Sequence, residues 1–161
     1  MKNDAVLRLF SIYADDLYRF ALSYTGSKCE AEDIVQDVFV KLISKPLIIR
    51  PEQEKTYLLR MTANLCKDYL KSPKYKENVD IDALGDVIGV SVDYSKDDDS
   101  LFKALSQMDE IYRMPIYLHY YEGYSHKEIS GILKVSEAAI AKRISRGKEE
   151  LRVSSYWTPA F

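Results

Sequence analysis

Apolar side chains return every three or four residues in three separate stretches of the first 71 positions. That spacing marks one face of an α-helix and not the alternation of a strand. The first stretch predicts a helix from about Asp4 to Tyr24, with Leu9, Phe10, Tyr13, Leu17, Phe20, Ala21 and Tyr24 along one stripe. Gly26 follows as a helix stop, and Ser27 with Glu30 three residues on has the spacing of a capping box. The second helix runs to about Ser44 and turns Ala31, Val35, Val38, Phe39 and Leu42 inward. Lys45 to Pro51 holds two prolines and reads as a loop. A third helix spans about Gln53 to Lys71, with Leu58, Met61, Leu65 and Tyr69 on its apolar side, and Ser72-Pro73 ends it.

The periodicity fades between residues 73 and 100, where two glycines, a proline and Asp97-Asp98-Asp99 suggest a flexible linker. The aspartate run reads as a solvated acidic face, with a magnesium site as the alternative. The helical stripe returns at Leu101, Leu105 and Met108. A further helix carries Pro115, which is tolerable in a first turn and disruptive deeper in, and then Ile116, Leu118, Tyr120 and Tyr121. Glu122-Gly123-Tyr124 is a break. Ser125 and Glu128 form a second capping-box pattern opening Lys127–Leu133. Lys134-Val135-Ser136 is a short turn, and Ser136 caps a last helix from Glu137 to about Val153. The expectation is an all-α protein of two small helical domains, 1–72 and 101–153, joined by a flexible acidic linker over 73–100 and followed by a tail over 154–161. The C-terminal domain would be a helix-turn-helix.

Charge sharpens this picture once it is divided along the chain. Residues 1–71 carry a net +1, residues 72–100 a net −5 and residues 101–161 a net +2. A protein that holds DNA alone has a strongly basic footprint. If this chain touches DNA, another molecule supplies much of the phosphate attraction. Met1–Val6 lacks the apolar core of a signal peptide, and no apolar run approaches the roughly 18 residues of a membrane span, which together predict a cytoplasmic protein. Cys29 and Cys66 have no CxxC companion and read as buried or incidental thiols, not a disulfide or a metal site.

The candidate chemistry lies on outward faces. Ile129, Ile132 and Leu133 oppose Ile140, Ile144 and Leu151, which leaves Lys142, Ser145, Arg146 and Glu149 outward and Arg143 nearer the flank. Cations and a small hydroxyl there suit phosphates and base edges in a major groove, although a solvated amphipathic pair would share the pattern. On the second helix the outward row is Asp33, Gln36, Asp37, Val40 and Lys41. An apolar residue amid polar ones points to a surface that meets protein. His119 and His126 stand seven apart on different elements with no metal-ligand partner, so a core or surface role is expected of both. Tyr117, Tyr120, Tyr121 and Tyr124 fit packing between helices better than base stacking. No Gly-rich phosphate loop or nucleophile motif occurs, which argues against an enzyme.

The segment Ala31-Glu32-Asp33-Ile34-Val35-Gln36-Asp37-Val38-Phe39-Val40-Lys41-Leu42 resembles the polymerase-binding helix of extracytoplasmic-function sigma factors. Tyr57-Leu58-Leu59-Arg60-Met61, with Asn64, Asp68, Tyr69 and Leu70, is similar to the next helix of that group. Tyr112-Arg113, Tyr121 to Ser125, Glu128-Ile129 and Ser136 to Leu151 resemble its C-terminal domain. The resemblance implies an alternative sigma factor that binds core RNA polymerase and promoter DNA, with an anti-sigma factor as inhibitory partner and no cofactor or small-molecule substrate. It implies a polymerase contact at Asp33, Gln36, Asp37, Val40 and Lys41. The loop Lys45–Glu54 and then Arg60, Asn64 and Lys67 would meet the minus-ten element, and Lys142, Arg143, Ser145 and Arg146 the minus-thirty-five element. The sequence departs from the group at Tyr57 for a common tryptophan, Asp109 for proline, Ala139 for threonine and Ala141 for a polar side chain. These departures bear on the promoter sequence more than on the activity. The competing readings are a helix-turn-helix regulator acting without core polymerase, which leaves the Asp33–Lys41 row without a purpose, and a pure interaction module.

Overall fold

A computed structural model of the chain describes residues 2–45, 49–71 and 102–152, with side chains from Asp4 onward. Every regular element among them is helical. The chain divides between residues 78 and 79 into two compact units. The expected linker with its aspartate run, Leu101 and the C-terminal tail lie outside the described residues.

The first unit is built from α1 (Lys2–Thr25), α2 (Lys28–Ser44) and α3 (Glu54–Leu70), the last entered through a 3-10 turn at Pro51–Gln53. Gly26 adopts φ +68° and its N–H closes on the Leu22 carbonyl, so α1 ends where an L side chain would be strained. The Ser27 hydroxyl then accepts from the Glu30 N–H at 3.3 Å and starts α2. Each helix packs on the other two. Leu17, Phe20, Leu58, Leu59 and Val38 are fully buried between them, each large side chain contributing about 1.5–3 kcal/mol.

Two expectations need correction. Phe10 was expected inward but is 46% exposed, and it meets Phe39 in a T-shaped pair at a centroid distance of 5.1 Å. On α3 the buried face is Leu58, Leu59, Thr62, Ala63, Cys66 and Tyr69, whereas Met61 and Leu65 are half-buried. Small side chains allow α3 to lie close to both neighbours, and they widen its apolar face beyond a stripe of large residues. Thr62 reaches the interior because its hydroxyl donates to the Leu58 carbonyl at 2.7 Å. Burial pushes the Cys66 thiol well above its ordinary range, while Cys29 is exposed.

One polar cluster ties α3 to α1. Glu54, the first residue of α3, is buried and accepts from the Arg8 guanidinium and from the Tyr13 hydroxyl, the latter at 3.2 Å. Lys55 adds an ion pair to Asp16 at 3.6 Å. The Arg8 hydrogen bond holds the Glu54 carboxyl below its usual range against the opposing effect of burial. A carboxyl lowered on folding contributes stability above its unfolded pKa of about 4.3, lost as pH falls through the folded value. Acid unfolding of the first unit should therefore steepen below about pH 5. Glu54→Gln should cost about 1 kcal/mol at pH 7, a figure reduced for the half-exposed Arg8. Its stability should also change less between pH 6 and pH 3 than that of the parent, as thermal melts at a series of pH values can measure.

The second unit comprises α4 (102–106), α5 (Glu110–Ile116), a π-helical continuation at Tyr117–Tyr121, α6 (His126–Leu133) and α7 (Glu137–Arg152). Pro115 sits deep in α5, where it removes one backbone donor. Just beyond it the turns widen, and the Glu122 N–H bonds the Tyr117 carbonyl five residues back. Arg113 donates to the carbonyls of Met108 at 3.1 Å and Ser106 at 3.2 Å, fastening α5 to the end of α4. Tyr117 is buried and stacks on Tyr121 at 4.8 Å, which agrees with a packing role for these rings.

Candidate functional site

The turn between α6 and α7 decides how the C-terminal outward face is presented. The expected capping box is complete. Ser125 Oγ accepts from the Glu128 N–H at 3.2 Å, and Glu128 Oε1 accepts from the Ser125 N–H at 3.0 Å. α6 ends on Lys134, which takes a left-handed φ of 57°, and Ser130 Oγ donates to the Val135 carbonyl at 2.6 Å to pin the turn. Ser136 Oγ accepts from the Ala139 N–H at 3.2 Å and begins α7. A left-handed lysine costs about 1 kcal/mol relative to glycine. Lys134→Gly should accordingly raise the unfolding free energy, measured by chemical denaturation, by about 0.5–1 kcal/mol without displacing α7.

On α7 the buried line is Ile140, Ile144, Gly147 and Leu151. Lys142, Ser145, Arg146 and Glu149 are exposed and Arg143 is half-buried, which is the arrangement read from the sequence. Gly147 was not singled out there. A Cβ at this position would stand 2.7 Å from Ile116 Cγ1 and 2.9 Å from Ile116 Cδ1, so the missing side chain sets how closely α7 approaches α5. Its signal in the sequence was a glycine on the buried line of a helix, seven residues after Ile140.

In the first unit Asp33, Gln36, Asp37, Val40 and Lys41 are all exposed along α2, and the opposite side of that helix is buried. Val40 is 57% exposed and Ile43, one turn on, is 53% exposed. The row therefore joins two carboxylates to an apolar strip, a composition suited to a protein partner. Arg60, Asn64 and Lys67 are separated by four and three residues and share the side of α3 opposite Thr62, Cys66 and Tyr69. Tyr57 falls on that same outer side and is half-buried, so the aromatic ring is available beside Arg60 and Asn64 as well as to the core. Of the loop Lys45–Glu54, residues 46–48 lie outside the described residues. The rest meets α3 at the buried Glu54.

Among the described residues no helix is long and apolar enough to cross a membrane, and no group of three or more His, Cys, Asp or Glu has the grouping of a metal site.

Comparison with known proteins gives both units counterparts in the same order. The family model for sigma-70 region 2 matches residues 9–74, and that for sigma-70 region 4 matches residues 98–151. The ECF RNA polymerase sigma factor SigM of Bacillus subtilis is 26% identical over 148 residues, covering 89% of this chain and 91% of its own. The RNA polymerase sigma factor SigV of the same organism is 27% identical over 142 residues, covering 88% and 85%. Among solved structures, the sigma factor RpoE in complex with the anti-sigma factor NepR from Bartonella quintana has a TM-score of 0.70 at 22% identity, with 94% of this chain and 96% of that one covered. CnrH in complex with the cytosolic domain of CnrY has a TM-score of 0.64 at 21% identity, covering 92% and 85%. At these identities the structural likeness speaks for the fold.

Proposed function

Because this chain belongs to the sigma-70 family, within its extracytoplasmic-function group, we propose a division of its surfaces between polymerase and promoter. The protein is an alternative sigma factor that binds core RNA polymerase and directs promoter recognition. In our reading Asp33, Gln36, Asp37, Val40 and Lys41 form the polymerase contact. Arg60, Asn64 and Lys67, with Tyr57 beside them, meet the minus-ten element. Lys142, Arg143, Ser145 and Arg146 meet the minus-thirty-five element. The domain limits are 1–72 and 101–153. The observation that carries the reading is the exposed row of α2, which joins two carboxylates to an apolar strip on the unit that lacks the helix-turn-helix. A regulator acting without polymerase has no use for it. The near-neutral halves of the chain agree, since DNA attraction is then shared with the enzyme that carries it.

The cytoplasm, where core polymerase works, is the compartment this function requires. The sigma factor RpoE was captured with the anti-sigma factor NepR, and we extend that class of partner to this chain. We assign the protein no catalytic step, cofactor or small-molecule substrate. Run-off transcription with cognate core polymerase on the factor's own upstream region tests the whole reading, and absence of a factor-dependent transcript would overturn it.

The promoter face is tested separately. Arg146 follows Lys142 by one turn, and both are exposed. A guanidinium can bond a guanine edge bidentately, giving about 1–3 kcal/mol of discrimination, whereas an ammonium more often meets phosphate. Arg146→Ala should relax preference at one or two upstream positions. Lys142→Ala should weaken all promoters alike and lower the salt slope by about one unit. Holoenzyme binding to a promoter library at two salt concentrations measures both, and no change in either variant would remove α7 from the promoter.

A further inference from the structure

The fold brings together two imidazoles that the sequence keeps seven residues apart. His119 lies in the π-helical segment and His126 is the first residue of α6. The intervening loop doubles back because the Tyr124 N–H bonds the Leu118 carbonyl at 3.0 Å. The two ring centroids then stand 5.2 Å apart with their planes at 50°, and both side chains are half-exposed.

The hydrogen bonding of His119 engages one ring nitrogen and leaves the other to bind a ligand. Its Nδ1 is 2.9 Å from the Tyr124 carbonyl oxygen. A carbonyl only accepts, so in the neutral ring the tautomer is the one with the proton on Nδ1 and a lone pair on Nε2. An N–H donated to a backbone carbonyl is the usual outer support of a metal-binding histidine, since it fixes the tautomer and the ring orientation.

The separation also fits. With metal–nitrogen bonds of about 2.0–2.1 Å, two imidazoles on one tetrahedral cation hold their centroids roughly 5 Å apart. We propose that His119 and His126 form a two-imidazole site for a divalent transition cation of the zinc, nickel or copper class, at the mouth of the helix-turn-helix. Nitrogen donors select this class over calcium and magnesium, which prefer oxygen. Among the described residues no third His, Cys, Asp or Glu joins the pair, so water completes the coordination shell. The bound cation cross-links the π-helical segment to the start of α6 and braces the loop that ends in the Ser125–Glu128 capping box. A ligand of the folded state alone stabilises it by mass action.

The test uses the full chain after chelator treatment, in a Cys29→Ser background because that exposed thiol would compete for the same metals. Zinc chloride, nickel chloride and magnesium chloride are titrated by calorimetry, and thermal unfolding is followed with and without zinc. The expected result is saturable one-to-one binding of zinc and nickel at micromolar metal, no magnesium binding, and an unfolding midpoint that rises with zinc. His126→Gln should weaken binding by about tenfold or more and remove the zinc-dependent shift, while its unfolding without metal stays close to that of the parent. His119→Gln should weaken binding similarly. If loss of its bond to Tyr124 compromises folding, His126→Gln decides alone. Absence of one-to-one binding in the parent, or unchanged affinity in His126→Gln, overturns the site.

Discussion

Gly147→Val should strongly destabilise the C-terminal unit and weaken promoter recognition while leaving the N-terminal unit folded. A single Cβ at this position already meets Ile116 Cγ1 at 2.7 Å and Cδ1 at 2.9 Å. The Ile116 side chain is fully buried and cannot swing into solvent. The Met108 methyl, at 3.2 Å, is the more yielding neighbour. Branching at Cβ adds further atoms to that contact, so α7 must move away from α5. Overpacking of this kind costs about 3 kcal/mol, against roughly 5 kcal/mol of total stability for a unit of some fifty residues. The matched comparison is alanine at two glycines of the same unit. Gly131 is exposed on the outer side of α6, where an added Cβ meets nothing within 4 Å. Gly131→Ala should therefore stabilise by about 0.5–1 kcal/mol through helix propensity alone. Gly147→Ala should destabilise by about 1–2 kcal/mol, because the steric cost exceeds the same propensity gain. Thermal unfolding of the three variants measures the opposite signs. Equal stabilisation by both alanines would show that α7 has room to spare.

The sequence made the helices legible because their ends carry local chemistry. Gly26, Ser27, the Ser125–Glu128 box and Ser136 each satisfy backbone groups within a few residues, and the observed boundaries of α1 and α2 fall within two residues of those expected. The outward rows of α2 and α7 were legible for a related reason: an amphipathic helix that buries one line must expose the other. Closer packing was less readable. Large apolar residues defined the expected stripe of α3, so Thr62, Ala63 and Cys66, which admit the neighbouring helices, passed unnoticed. Phe10 matched the helical period of its stripe and still ended largely exposed, because periodicity fixes a direction on the helix and not the presence of a partner there. The Pro115 disruption was expected. Its outcome, a π-helical segment with a loop folded back onto it, depends on a choice among neighbouring backbone acceptors that the spacing of apolar residues does not encode. The meeting of His119 and His126 follows from that same loop.

Asp37→Arg should weaken binding to core polymerase by roughly a hundredfold while the isolated protein stays folded. Asp37 is exposed on α2, and its neighbours Ile34 and Val38 hold the helix by burial that the substitution does not touch. Within the helix the new cation would face Lys41 four residues on and Asp33 four residues back, so local charge effects nearly cancel, each being about 0.5 kcal/mol or less. At an interface built for a carboxylate the reversal is costly, since like charges brought together cost several kcal/mol and each 1.4 kcal/mol is tenfold in affinity. Val40→Ala removes only part of an exposed apolar side chain and should cost about 1 kcal/mol or less. Arg146→Ala, on the other unit, should leave core affinity unchanged while altering promoter preference. Competition against a labelled parent factor for a fixed amount of core polymerase ranks all three, and repeating it at higher salt should narrow the gap for Asp37→Arg more than for Val40→Ala. If Asp37→Arg competes as well as the parent, the acidic row of α2 is not the polymerase contact. The exposed strip at Val40 and Ile43 would then need another partner to account for it.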